Sequence, residues 1–142
     1  MAERILLVDD EKDFLDIMSE RLKYRGMDVA TAGSAREAIS KIALESYDVI
    51  VLDLQMQEMD GLEALKVLRT VKPELQVILL TGHVTLEKGV EAMKLGAMDL
   101  MEKPADIAIL EDKIRRAHAR KMILVEKQTE ARVNEIILNK GW

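Results

Sequence analysis

Residues 49–53 read Val49-Ile50-Val51-Leu52-Asp53: four branched apolar side chains in a row, then a single carboxylate. An apolar run without alternation suits a strand buried on both faces of a parallel sheet, where neither set of side chains meets water. Working outward, runs of the same kind recur at Ile5 to Val8 and Val77 to Leu80, more loosely at Met27 to Ala32, and most weakly at Met98 to Met101. Segments of helical period lie between them. Phe14, Ile17, Met18 and Leu22 share one helical face, and Gly26 follows as a helix stop. Ala35, Ala38, Ile39, Ile42 and Ala43 come behind Ser34 and Glu37, which are spaced as a capping box. Leu62, Leu65 and Leu68 mark a third helix between Gly61 and Pro73. Leu86, Val90, Met93 and Ala97 mark a fourth, in which Gly89 costs roughly 1 kcal/mol of helix propensity. Ile107, Leu110, Ile114 and Ala117 begin a fifth.

Five alternations of strand and helix within about 118 residues call for an α/β fold with a doubly wound parallel sheet and helices on both faces. Right-handed crossovers leave few topologies, and the expected strand order is the flavodoxin-like 2-1-3-4-5. In such sheets ligands sit beyond the carboxyl ends of the strands. After Glu111 the chain carries no Pro or Gly until Gly141, so the last helix is expected to run on as an extension. The domain organisation read from this is a body over 3–120 and a helical extension over 121–142.

The apolar fraction of 49% beside 33% charged residues argues against disorder, which needs low hydrophobicity and high net charge. Residues 1–110 hold 13 Lys/Arg against 21 Asp/Glu, net −8, and residues 111–142 hold 8 against 5, net +3. A body that acidic repels nucleic acid, so no direct nucleic-acid contact is expected. No stretch approaches the roughly 20 apolar residues of a membrane span. The run at Ile5 to Val8 is too short for a signal peptide, and there is no cysteine; both fit a cytoplasmic location.

The chemistry is expected where the strands end. Asp9 and Asp10 follow the first strand, Asp53 the third, Thr81 stands at the end of the fourth and Lys103 just past the fifth. Three carboxylates brought to one rim repel unless a cation arrives, and an oxygen-only set suits a hard ion such as Mg²⁺. A carboxylate can also attack phosphorus to form an aspartyl phosphate, with the metal and an ammonium offsetting charge on the transferring group. Lys103 supplies the ammonium, and Thr81 a hydroxyl for a phosphoryl oxygen. For any one aspartate, capping a turn is the commoner role; for all five residues together that account is far weaker.

Val8-Asp9-Asp10-Glu11, Asp53 with Met56 and Met59-Asp60-Gly61 behind it, Leu80-Thr81-Gly82 and Glu102-Lys103-Pro104 resemble the receiver domain of bacterial two-component response regulators. The resemblance covers roughly residues 3 to 120. It implies that a sensor histidine kinase or phosphotransfer protein donates a phosphoryl group to Asp53. It implies Mg²⁺ held directly by Asp10, Asp53 and the backbone carbonyl of Gln55, and by Asp9 through water. It also implies that Lys103 contacts the phosphoryl group, that Thr81 shifts toward it on activation, and that Lys103-Pro104 is a cis peptide. The implied protein is a switch and not an enzyme of small-molecule turnover. Two homodimer surfaces are candidates: the face of the fourth helix, fifth strand and fifth helix, and the C-terminal helix.

Three features depart from the family's commonest pattern. Gln57 stands where a proline is usual, four residues after the acceptor, which implies a looser loop. Leu100, three before Lys103, stands where Tyr or Phe is usual, so switching there is expected to use aliphatic repacking or helix displacement. Gln55 and His83 occupy the positions that tune dephosphorylation in the family, with His83 ordering or blocking the attacking water as the sharper of its two readings. Two rivals are weighed. An aspartyl-phosphate phosphatase needs an acid two positions after its nucleophile, where this chain has Gln55. A receiver-like structural or dimerisation module without phosphotransfer would have no use for the intact set of Asp9, Asp10, Asp53, Thr81 and Lys103.

Overall fold

A computed structural model describes residues 2–56, 60–82 and 85–139 of the 142-residue chain. The order is β1 (Arg4–Val8), α1 (Lys12–Tyr24), β2 (Asp28–Ala32), α2 (Ala35–Leu44), β3 (Val49–Leu52), α3 (Gly61–Val71), β4 (Gln76–Thr81), α4 (Leu86–Lys94), β5 (Asp99–Glu102) and α5 (Ile107–Asn139). The five strands pair in parallel in the order β2-β1-β3-β4-β5, as the alternation of apolar runs and helical segments requires. Register places Val8 beside Leu52 and Leu52 beside Leu79.

Side chains alternate between two cores because successive residues of a strand face opposite ways. Leu6, Ile50, Leu52, Val77 and Leu79 meet α2 and α3 on one side; Ile5, Leu7, Val49, Val51, Ile78 and Leu80 meet α1 and α5 on the other. All of β3 and β4 is buried. The capping box forms with one change: Ser34 accepts from the Glu37 backbone N–H at 3.1 Å, while Glu37 reaches back to Gly33 N–H at 2.9 Å, one residue earlier than the reciprocal arm.

Two helical faces differ from the periodicity reading. Ile17 is half exposed, and α1 packs through Leu15, Met18, Ser19 and Leu22. In α4 the difference is larger: Leu86, Val90 and Met93 are 85%, 46% and 48% exposed, whereas Gly89 and Ala92 are buried. The helix also stops at Lys94, so Ala97 belongs to the following turn, where Gly96 takes φ +101°. Periodicity identifies an apolar face but not the way it points. Here the small residues form the seat, leaving the bulky face outward to line a groove of about 670 Å³ with Leu100 and Met101.

The 33 residues of α5 would span about 50 Å at 1.5 Å per residue. Its first turns are buried through Leu110, Ile114 and Ala117 and laced by ion pairs: Glu111 to Arg25, Lys113 to Asp99, Arg115 to Glu3 and Lys121 to Asp48. Among the described residues, none past Lys121 is buried. No helix of the described residues is long and apolar enough to cross a membrane.

Candidate functional site

The parallel ladder continues one residue past the strand ends, and that continuation assembles the site. Asp9 N–H donates to Ala32 O, Asp53 N–H to Val8 O, and Lys103 N–H to Thr81 O, at 3.2, 3.0 and 2.8 Å. Asp9, Asp53 and Lys103 therefore stand on one rim, with Thr81 as the last residue of β4. Carboxylate oxygens of Asp9, Asp10 and Asp53 lie within 4.8 Å of one another. Asp9 and Asp53 are buried and Asp10 is exposed.

Each buried carboxylate has its own bonds. Asp9 Oδ1 accepts from Glu11 N–H at 2.9 Å and Oδ2 from Lys103 Nζ at 2.6 Å, so both oxygens are engaged. Asp53 Oδ1 accepts from Gln55 N–H at 2.9 Å, and its Oδ2 lies 3.5 Å from Lys103 Nζ. Burial holds the Asp53 carboxyl above the usual carboxylate range against the Gln55 N–H and the Lys103 charge, and the charge of Asp9 adds to the rise. For Lys103 burial pulls downward, but the bond to Asp9 and the charges of Asp53, Asp9 and Glu11 outweigh it and raise the ammonium above its ordinary value. The lysine is thus firmly cationic at neutral pH.

Thr81 is fully buried, and its hydroxyl has no hydrogen-bond partner among the described residues. Buried hydroxyls are rarely left so, since the loss costs about 1–3 kcal/mol.

The loop after Asp53 is held close to the start of α3. Asp60 caps that helix by accepting from Leu62 N–H at 3.0 Å, and Gly61 N–H donates to Leu54 O at 3.2 Å. A Cβ on Gly61 would fall 2.5 Å from Leu54 Cα, so only glycine allows this approach. The Lys103-Pro104 peptide is cis.

Of the sequence-derived site residues, Asp9, Asp10, Asp53 and Lys103 are brought together, Thr81 ends the neighbouring strand, and the Gln55 N–H is bound to Asp53. Leu100 sits apart in the α4 groove. His83, Gln57 and Met59 lie outside the described residues. Two neighbours of Lys103 were not singled out from sequence: Glu11, 3.5 Å from its Nζ, and Phe14, whose ring centroid is 4.3 Å away. The sequence marks Phe14 only as the chain's one phenylalanine, on the apolar face of a helix. At the opposite end of β3, Asp48 accepts from Arg4 N–H at 2.8 Å and pairs with Lys121 at 2.9 Å.

A family model described as the response regulator receiver domain matches residues 5–115. The transcriptional regulatory protein ZraR of Escherichia coli K12 is 35% identical over 115 residues, which are 81% of this chain and 26% of that protein. The C4-dicarboxylate transport transcriptional regulatory protein DctD of Rhizobium meliloti is 30% identical over 134 residues, 94% of this chain and 29% of that one. The chain spans about a quarter of the length of these curated relatives. A CheY-like receiver domain protein of Methanospirillum hungatei superposes with a TM-score of 0.82 at 30% identity, covering 86% of this chain and 98% of that one. The beryllofluoride-activated NtrC4 receiver domain dimer gives 0.79 at 34% identity, with 83% and 98% covered.

Proposed function

The chain belongs to the response regulator receiver domain family, and from that premise we propose that Asp53 is its phosphoryl acceptor. The observation that carries the proposal is the rim itself: a buried carboxylate with an ammonium 3.5 Å away and two further carboxylates within 4.8 Å. An oxygen of Asp53 attacks phosphorus; a new P–O bond forms as the bond to the donor's phosphohistidine nitrogen breaks. Lys103, already cationic, offsets the charge of the transferring group. Thr81 donates its spare hydroxyl hydrogen to a phosphoryl oxygen.

The donor set fits a hard divalent cation, being all oxygen and net anionic. Asp10 and Asp53, with the Gln55 carbonyl, would hold Mg²⁺ directly. Asp9, both of whose oxygens are in use, would act through water. Such an ion draws charge from the phosphoryl oxygens. Lys103, which holds Asp9 at 2.6 Å and lies 3.5 Å from Asp53, would share these two carboxylates with the ion.

The phosphoryl donor is a sensor histidine kinase or phosphotransfer protein, and the chain is a switch without turnover of a small metabolite. Gln55, standing where a phosphatase of this chemistry needs its acid, supports that reading. ZraR and DctD are transcriptional regulators by name; the acidic body proposed here acts on such an output indirectly, without itself touching nucleic acid. Output passes through α4 and β5, with Leu100 repacking among aliphatic neighbours, and through a functional boundary near Lys121 beyond which α5 serves as a dimerisation or linker helix.

The test is incubation with Mg²⁺ and acetyl phosphate. Wild-type protein gains one hydroxylamine-sensitive acyl phosphate per chain, and neither Asp53→Asn nor protein in EDTA gains any. Absence of the acyl phosphate from wild-type protein would sink the proposal and leave the structural-module reading standing.

A further inference from the structure

Lys103 Nζ lies 4.3 Å from the centroid of the Phe14 ring, within the range of a cation–π contact. Its side chain is only 15% exposed, so water weakens that contact little. The ammonium has three donors and, among the described residues, three carboxylate neighbours: Asp9 at 2.6 Å, with Glu11 and Asp53 at 3.5 Å. Two of those neighbours have a second duty. Asp9 and Asp53 would also serve a divalent cation, and an oxygen of Asp53 would carry the phosphoryl group. The third, Glu11, has a side chain 68% exposed and is screened by water. The ring offers no lone pair to a hard cation, so neither the metal nor the phosphoryl group competes for it.

The ring's own placement is tied to the same site. Phe14 lies in the first turn of α1, whose entry is set by the Glu11 N–H bonded to Asp9 Oδ1, and the adjacent Leu15 is buried. Asp9 thus holds Lys103 with one oxygen and orients the helix that carries the ring with the other.

We propose that Phe14 is a positioning residue for Lys103, keeping its ammonium at the rim while its carboxylate partners change; the role rests on Asp53 being the phosphoryl acceptor. Without the ring the ammonium settles on Asp9 and reaches the transferring group less often.

The experiment measures the first-order rate of acyl phosphate formation at fixed acetyl phosphate and Mg²⁺ in wild type, Phe14→Leu, Phe14→Tyr, Lys103→Met and the Phe14→Leu/Lys103→Met pair. Loss of the ring face in Phe14→Leu slows transfer about 5-fold, and Phe14→Tyr, which keeps it, stays within about 2-fold of wild type. In the Lys103→Met background Phe14→Leu has no further effect, which a merely structural role would not produce. The Lys103 ε-methylene protons, observed without phosphodonor, are shifted upfield by the ring in wild type and Phe14→Tyr and return to ordinary positions in Phe14→Leu. A Phe14→Leu protein as fast as wild type, equal slowing in the Lys103→Met background, or unshifted ε-methylene protons in wild type would each overturn the role. If wild type forms no acyl phosphate the acceptor reading falls with it; if wild type does and Phe14→Leu matches it, only the role of Phe14 falls.

Discussion

At the scale of single residues, the rim carries a cost. Among the described residues the buried Thr81 hydroxyl has no partner, and replacing it by an apolar isostere removes the desolvation penalty. Thr81→Val therefore stabilises the unphosphorylated protein by about 1 kcal/mol, read as a melting midpoint about 2–4 °C higher. The same protein loses whatever conformational response acetyl phosphate evokes in wild type. A midpoint below that of wild type would mean that the hydroxyl has a partner, such as ordered water. The members of this rim were legible in the sequence because each stands one or two residues past an apolar run, and the run itself announces where the strand ends. Phe14 was not, since a phenylalanine at helical spacing reads as core; only the fold of Lys103 back across 89 residues of chain puts a charge over its ring.

At the scale of elements, the strands were more legible than the helix faces. Val49 to Leu52 and Val77 to Leu80 are apolar throughout, and both sides of each strand are covered, so no choice of face arises. In α4 a choice did arise, and the helix rests on Gly89 and Ala92 with its bulky side chains outward. Close approach through a small residue also fixes the start of α3. Gly61→Ala puts a methyl group into the Leu54 backbone, which must shift and carry the loop behind Asp53 with it. The expected loss is about 3 kcal/mol by denaturant titration, with slower phosphorylation of whatever remains folded. Unchanged stability would show that the loop yields without strain. The far end of β3 carries a pH-dependent tie. Burial works to raise Asp48, but the Arg4 N–H and the Lys121 ammonium outweigh it and hold the carboxyl below its ordinary value. A depressed carboxylate stabilises fully above the ordinary Asp value and ceases to do so as pH falls through its folded value. Asp48→Asn should then cost about 1–2 kcal/mol at pH 7. The gap between wild type and variant closes only in acid, below about pH 4. A gap that persists unchanged at pH 2 would assign the loss to shape and not to charge.

At the scale of the whole molecule, the open question in the fold is what covers the far half of α5. Heptads counted from Leu110 carry the core-facing stripe forward through Lys121, Leu124 and Gln128, a seam with polar interruptions. Exposed Met122, Val133 and Ile136 suggest another line, which half-buried Val125 and the polar Thr129 complete in steps of three, four, four and three. At 3.6 residues per turn that line lies about 100° around the helix from Leu110, clear of the face that packs on the sheet. Thr129 does not spoil it, because its hydroxyl donates to the Val125 carbonyl at 3.0 Å and is thereby satisfied within the helix. Spacing of this kind suits a second helix of the same sort, since knobs three and four residues apart stay on one side over several turns. The occupant it fits best is the same stretch of another copy, since among the described residues no ion pair ties the helix to the body beyond Lys121. The 142-residue chain is expected to run as a dimer by light scattering at tens of micromolar, and a chain ending at Lys121 as a monomer with an unchanged sheet by circular dichroism. Ile136→Lys, placing a charge in the seam, should give monomer without shortening the helix. Equal masses for the full and shortened chains would rule the pairing out, and a dimer that survives in both would move the interface to the outward face of α4, where Leu86→Lys becomes the variant to measure.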